Sequence, residues 1–166
     1  MRLDLRNRHS DLAACRGDQP GWLLQNKERG IIRQYLLSAE LAKQCLGVNR
    51  ARVDAALSRL AAKHIDIPRP SVVRAYLMDH LDILQTIIRV CESVAAGIVV
   101  EGTQLLLTVY TDPEINDRYL SLYIRQRDYP DDFLATLHGI YANYASDLID
   151  KSGWFQVTTD FAPPAE

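Results

Sequence analysis

Several signatures that announce a reaction are missing from these 166 residues. There is no HExxH, no Cys-x-x-Cys, no GxSxG elbow and no glycine-rich phosphate loop. The zinc, serine-nucleophile and nucleotide chemistries that depend on those spacings therefore have no anchor. Cysteine is scarce: Cys15, Cys45 and Cys91 are odd in number and far apart, which excludes a disulfide framework and implies three reduced thiols. Cys45 and Cys91 fall on apolar helix faces, where a thiol acts as a small hydrophobe. The histidines His9, His64, His80 and His138 are scattered, so no metal or cofactor is implied. Long apolar runs are lacking as well. The two longest, Ser93 to Val100 and Gly102 to Thr111, fall well short of the roughly 20 residues that span a bilayer. The opening Met1 to Arg6 alternates charged with apolar residues and no cleavage pattern follows, so the expectation is a cytoplasmic protein with no membrane partner.

With 48% hydrophobic and 24% charged residues, the chain can bury a core. Its charge is divided unevenly. Met1 to Pro70 holds 13 Lys/Arg against 7 Asp/Glu, a formal +6, and Ser71 to Glu166 holds 6 against 14, a formal −8. The near-neutral total of −2 thus hides a cationic half of the kind that meets polyanions.

Pattern along the chain divides it into three. Residues 1–30 are rich in Arg, Asp and Gly without a sustained apolar period and read as an irregular arm, with Trp22, Leu23 and Leu24 docking its last third. Residues 31–70 are helical and basic, and 71–166 form a long helix followed by a small acidic α+β unit. In the middle part Ile31, Ile32, Tyr35 and Leu36 share one face. Ser38 is placed as an N-cap before the stripe Leu41, Ala42 and Cys45, and Gly47 as a C-cap. Asn49 then caps a second helix whose inward face is Val53, Ala56, Leu57 and Leu60.

Pro70 opens the long helix, in which Val73, Leu77, His80, Leu84, Ile87, Cys91 and Val94 recur at spacings of four and three. That seam predicts either the spine of the fold or a homodimer contact, interrupted by the one imidazole that needs a polar partner. After Gly97, Gln104 to Tyr110 and Tyr119 to Arg125 read as strands joined by the Thr111 to Asp117 hairpin loop. A helix begins at Pro130-Asp131-Asp132 and buries Phe133, Leu137, Ile140, Tyr141, Tyr144 and Leu148, with Lys151 and Gly153 marking its stop. A last strand runs from Trp154 to Phe161. The expected class is therefore α+β: an N-terminal helical hairpin or helix-turn-helix, a long central helix, and a β-β-α-β sheet unit. Because a helical crossover joins the last two strands, they should run parallel, placing Asp160 near Arg125 or Arg127 and about 20 Å from the loop acids Asp112, Glu114 and Asp117. Those loop acids could serve a carboxylate metal site or a hydrolase, but Asp112-Pro113 also initiates a turn without any chemistry.

Ser38 to His64 resembles the helix-turn-helix of bacterial transcription regulators, winged-helix ones included. Ala42, Gly47, Val48 and Val53 take the packing and turn positions, with five residues from Ala42 to Gly47 where the family spacing is four. The resemblance implies that Asn49, Arg50, Ala51, Asp54 and Ala55 face base edges of double-stranded DNA. Arg52, Arg59 and Lys63 would form a stripe toward the phosphates. It covers about a sixth of the chain and leaves open whether the segment is such a motif or an ordinary helical hairpin. Two functional expectations follow. One is a small DNA-binding, regulator-like protein with a C-terminal dimerising or sensing part. The other is a non-enzymatic interaction or assembly module without nucleic acid, in which tyrosines such as Tyr119, Tyr123, Tyr129, Tyr141 and Tyr144 offer contact surface. In the second, the basic stripe of one copy could meet the acidic half of another.

Overall fold

Strict alternation of Leu105, Leu107 and Val109 with Leu106, Thr108 and Tyr110 gives a strand with one apolar face, and it forms β2, Gln104–Thr111. The computed structural model describes residues 21–98, 102–115 and 117–165, with side chains from Ser38 onward except Ala39. The chain divides into two units, residues 1–45 and 46–166. The second holds a four-stranded sheet in the order β1-β2-β3-β4, where β1 is Ile65–Asp66, β3 is Arg118–Arg125 and β4 is Phe155–Thr158. β1 lies parallel to β2, β2 and β3 form the antiparallel hairpin, and β4 is parallel to β3 with Leu120 opposite Phe155. The parallel direction of the last strand matches the expectation from its crossover. No helix among the described residues is long and apolar enough to cross a membrane.

One face of the sheet carries Leu107, Leu120, Leu122, Ile124 and Phe155, all fully buried in a single core cluster with residues of the helices. α2 (Pro70–Asp79), α3 (Leu84–Gly97) and α4 (Phe133–Ala142) supply Leu77, Ile87, Cys91 and Leu137 to it. The other face, with Thr108, Tyr110, Tyr119 and Tyr123, stays half-exposed. The mixed α+β class, helices ahead of a small β-β-α-β unit, is the architecture seen.

Three local features depart from the sequence reading. α1 is one helix from Gly21 to Ala61, so it starts inside the stretch expected as an irregular arm; Met1 to Pro20 lie outside the described residues. It also runs through Gly47, so neither the turn nor the caps assigned to Ser38, Gly47 and Asn49 form. The physical reason is phase: Ala42, Leu46, Asn49, Val53, Ala56 and Leu60 recur at spacings of four and three without a slip, and a turn would break that register. A single glycine inside a helix costs only about 1 kcal/mol relative to alanine, too little to break it.

The long central helix is in two pieces. His80 leaves helical geometry at φ −131°, ψ 55°, and one 3-10 turn, Leu81–Ile83, leads into α3. Its seam faces inward: Val73, Leu77, Ile87 and Cys91 are 0% exposed and Leu84 is 2% exposed. Of the residues expected as a dimer contact, Val73, Leu77, Leu84, Ile87 and Cys91 are therefore corrected to the spine of the core, while His80 is half-buried at the joint. Burial pushes the Cys91 thiol well up from its ordinary value, as fits a structural cysteine.

The third departure is at α4, which ends at Ala142 and is followed by a 3-10 turn, Ala145–Leu148. Phe133, Leu137, Tyr144 and Leu148 are buried as expected, but Tyr141 faces out. The Tyr144 hydroxyl accepts the Val157 amide of β4 at 3.0 Å, and burial pushes this phenol up to about 12. The Tyr76 hydroxyl works similarly, accepting the Trp154 amide at 2.8 Å and donating to the Trp154 carbonyl at 2.9 Å.

Candidate functional site

α1 carries the residues read as DNA contacts, except Lys63, which lies in the turn after it. Arg50, Arg52, Ala55, Arg59 and Lys63 are exposed, and Asn49 is half-buried. Their charges are partly spent within the chain. Arg59 clamps both Glu92 oxygens on α3, with Nη2 to Oε2 at 2.6 Å, and that hydrogen-bonded pairing raises the guanidinium above its already high value. Arg50 lies 4.0 Å from Asp54 one turn on, and Asp54 also accepts a bond from Arg74 of α2. Arg52 and Lys63 have no ion pair among the described residues. α1 continues without a turn through Gly47 to Ala61, so no turn separates a first helix from a second there, and its exposed cations form a basic edge on one helix.

Next to that edge runs an apolar one. Leu41, Cys45 and Val48 lie at i, i+4 and i+7, one line along the helix, and Leu46 lies one step round. Leu41, Leu46 and Val48 are each 61% exposed, and Cys45 is exposed too, although the sequence placed it on an inward stripe. Below this point the same helix buries Val53, Ala56 and Leu60 completely or nearly so. The signal for the exposed stripe was present in the sequence as unbroken phase, and the supposed turn at Gly47 concealed it.

A second apolar surface lies between α4 and the edge strand β4. The groove encloses about 380 Å³ and is lined by Leu134, His138, Tyr141, Trp154, Gln156 and Thr158 over a floor of Leu137 and Val157. Leu134 is 56% exposed, Trp154 43% and Tyr141 41%. A cleft of about 430 Å³ between α1, β1 and α2 is bordered by the Arg74 and Asp54 pair, Asp66 and apolar residues from Leu57 to Pro70.

One trio invites a catalytic reading. His80 Nδ1 is 3.1 Å from the Ser152 hydroxyl, which donates to Asp82 at 2.7 Å while the Ser152 amide donates to the other Asp82 oxygen at 2.8 Å. In a nucleophilic triad the base accepts the serine proton and the acid braces the base. Here the acid takes the serine hydroxyl directly and does not brace the imidazole, so the order of contacts differs from that of a triad, and with the hydroxyl donating to Asp82 it is the Nδ1-protonated tautomer of His80 that completes the bond. Bonds from Ser152 hold the Asp82 carboxyl below the usual range. The group is a clasp between the α2–α3 joint and the segment ahead of β4. Gly153 completes it, because a Cβ there would stand 2.7 Å from His80 Cγ.

The loop acids and Asp160 stand apart, as the strand directions require. Asp112 accepts the Glu114 amide at 2.8 Å and so initiates the hairpin turn. Asp160 pairs with Arg125, Nη2 to Oδ2 at 2.6 Å, and that bond holds its carboxyl below the ordinary range. Among the described residues no group of three or more His, Cys, Asp or Glu gathers as a metal site would. No protein-family model, no curated protein and no solved structure matches this chain.

Proposed function

We propose that this chain is a non-enzymatic interaction or assembly module that presents α1 to its partner. The observation that carries this reading is the line Leu41, Cys45 and Val48, apolar and uncovered, on a helix that is otherwise amphipathic. Burying an exposed leucine or valine contributes about 1.5–3 kcal/mol, so a partner covering this line gains several such increments at once. Charged or small residues would serve a solvent-facing helix better, and the chain retains leucine and valine there. The test is paired: Leu41→Asp and Val48→Asp should leave the thermal midpoint of the fold within about 2 °C, since neither side chain is buried, yet abolish association detected by a photocrosslinker at residue 45. Crosslinking that survives both substitutions rejects the reading.

A second reading, a small DNA-binding, regulator-like protein, is favoured by Arg52 on α1 and Lys63 in the turn after it, both exposed and without an ion pair among the described residues. It requires retention of duplex DNA that weakens steeply with salt, with the slope reduced by about 1 for each of the two cations removed. No retention by micromolar protein at low salt rejects it.

A further inference from the structure

Two exposed surfaces among the described residues have the same length and periodicity. On α1, Leu41, Cys45 and Val48 stand at i, i+4 and i+7; on α4, Leu134, His138 and Tyr141 do the same. Each line spans eight residues, seven rises or about 10.5 Å of helix axis. Trp154, just ahead of β4, and Thr158 within it wall the α4 line into a groove of about 380 Å³, so it is a trough rather than a flat face, the shape that takes the ridge of a helix.

Charge distinguishes the possible occupants. α1 itself carries 7 Lys/Arg against 3 Asp/Glu, a formal +4, so two α1 helices side by side repel one another. The α4 groove is set in the acidic half. Asp128, Asp131 and Asp132 lie just ahead of α4, exposed and without an ion pair among the described residues. Arg52 stands one turn beyond Val48, also exposed and unpaired among them. Setting Val48 beside Leu134 and Leu41 beside Tyr141 brings Arg52 to these carboxylates, and it fixes the helices antiparallel.

Resting on the interaction-module reading above, we propose that the partner is a second copy of this chain, whose α1 line Leu41–Cys45–Val48 seats antiparallel in the α4–β4 groove. Each copy then both donates a helix and receives one. A closed pair with two identical contacts satisfies both surfaces, whereas an unclosed arrangement gives a filament.

The experiment uses the full chain in sedimentation velocity at about 1–100 µM, with four samples: wild type, Val48→Asp, Trp154→Glu, and an equimolar mixture of the two variants. The wild type should sediment as a dimer or larger, and each single variant should weaken association at least about tenfold. The mixture should restore a 1:1 heterodimer, because an intact helix on the Trp154→Glu copy still meets an intact groove on the Val48→Asp copy. Unchanged far-ultraviolet circular dichroism and melting show that the variants fold. A Trp154→Glu protein that still associates while Val48→Asp does not would overturn the groove as the receiving surface and leave the interaction reading standing. A wild type that is monomeric at 100 µM overturns self-association, and if it also retains duplex DNA at low salt the interaction reading falls with it. A mixture that stays monomeric overturns the complementary arrangement.

Discussion

Replacing Gly47 with alanine separates a continuous α1 from a pair of helices, because the two geometries give opposite signs. In the continuous helix Gly47 has no left-handed φ, and a Cβ added there meets nothing within 4 Å. Alanine then removes the conformational freedom of glycine at no steric cost and stabilises by about 0.5–1 kcal/mol. Were Gly47 a left-handed C-cap, the same Cβ would cost about 1–2 kcal/mol. The span between the outcomes is roughly 2 kcal/mol, and Val53 and Leu60, both 0% exposed, tie this stretch of helix to the core so that global unfolding reports it. Urea denaturation followed at 222 nm should show a higher midpoint, with the melting temperature raised by about 2–5 °C. Hydrogen exchange supplies the local half of the experiment. In a continuous helix the amides of Asn49, Arg50 and Ala51 bond to carbonyls of Cys45, Leu46 and Gly47 and exchange slowly; in a helix capped by Asn49 the first-turn amides have no such partners. A lowered midpoint, or fast exchange at Arg50 and Ala51, refutes the continuous helix.

Tyr144→Phe should destabilise by about 1–3 kcal/mol in urea titration, since the Val157 amide loses its acceptor in a buried position; an unchanged midpoint would mean water replaces the phenol. Gly153→Ala should cost about 1–3 kcal/mol, because the new Cβ meets the first ring carbon of His80 and not a flexible tip, and a neutral result would mean the clasp yields. Asp160→Asn addresses pH. Its carboxyl is held low chiefly by Arg125, so the folded value lies below the unfolded one; the stability this provides is present above about pH 4 and lost as pH falls through the folded value. The variant should therefore be less stable than the wild type at pH 7, and the two urea midpoints should converge below pH 4. Midpoints that stay parallel across that range would remove the pairing from any role in acid stability.

Elements whose side chains alternate over eight residues were the most legible. β2 and β3 declare themselves because one residue in two must enter the core, and a one-residue slip would reverse both faces. The ion pair of Arg125 with Asp160 was legible for a related reason, since a helical crossover makes the two strands parallel and so fixes which of their ends coincide. His80 shows where pattern fails. Leu77 and Leu84 are seven residues apart whether the chain between them is an α-helix or includes a 3-10 turn, so spacing alone cannot disclose the joint. What fixes the joint is Ser152, seventy residues later, and no local signal reports that contact. β1 escaped notice for the same reason: two residues hold no periodicity, and their pairing with Leu105 and Leu106 is a tertiary event. At Gly47 a single turn-favouring residue stands against five apolar positions, Ala42, Leu46, Val53, Ala56 and Leu60, in unbroken phase. The candidate surfaces inherit both lessons. The α1 line could be read from phase, while the groove needs Trp154, ahead of β4, beside Tyr141 of α4, which only the folded chain brings together.

Both flanks of the sheet are shut against further strands. β1 is two residues long and bounded by Pro68 and Pro70, and past its end the Arg69 guanidinium approaches the Val109 carbonyl of β2 at 3.5 Å. On the far side the phenol of Tyr144 occupies the Val157 amide. A backbone arriving edge-on therefore meets proline, a cation or a filled hydrogen bond, and runaway cross-β growth has no template to copy. The phenol of Tyr144 is neutral at every acidic pH, so it is heat or denaturant, not protonation of this group, that should free the Val157 amide and open this edge to a second backbone.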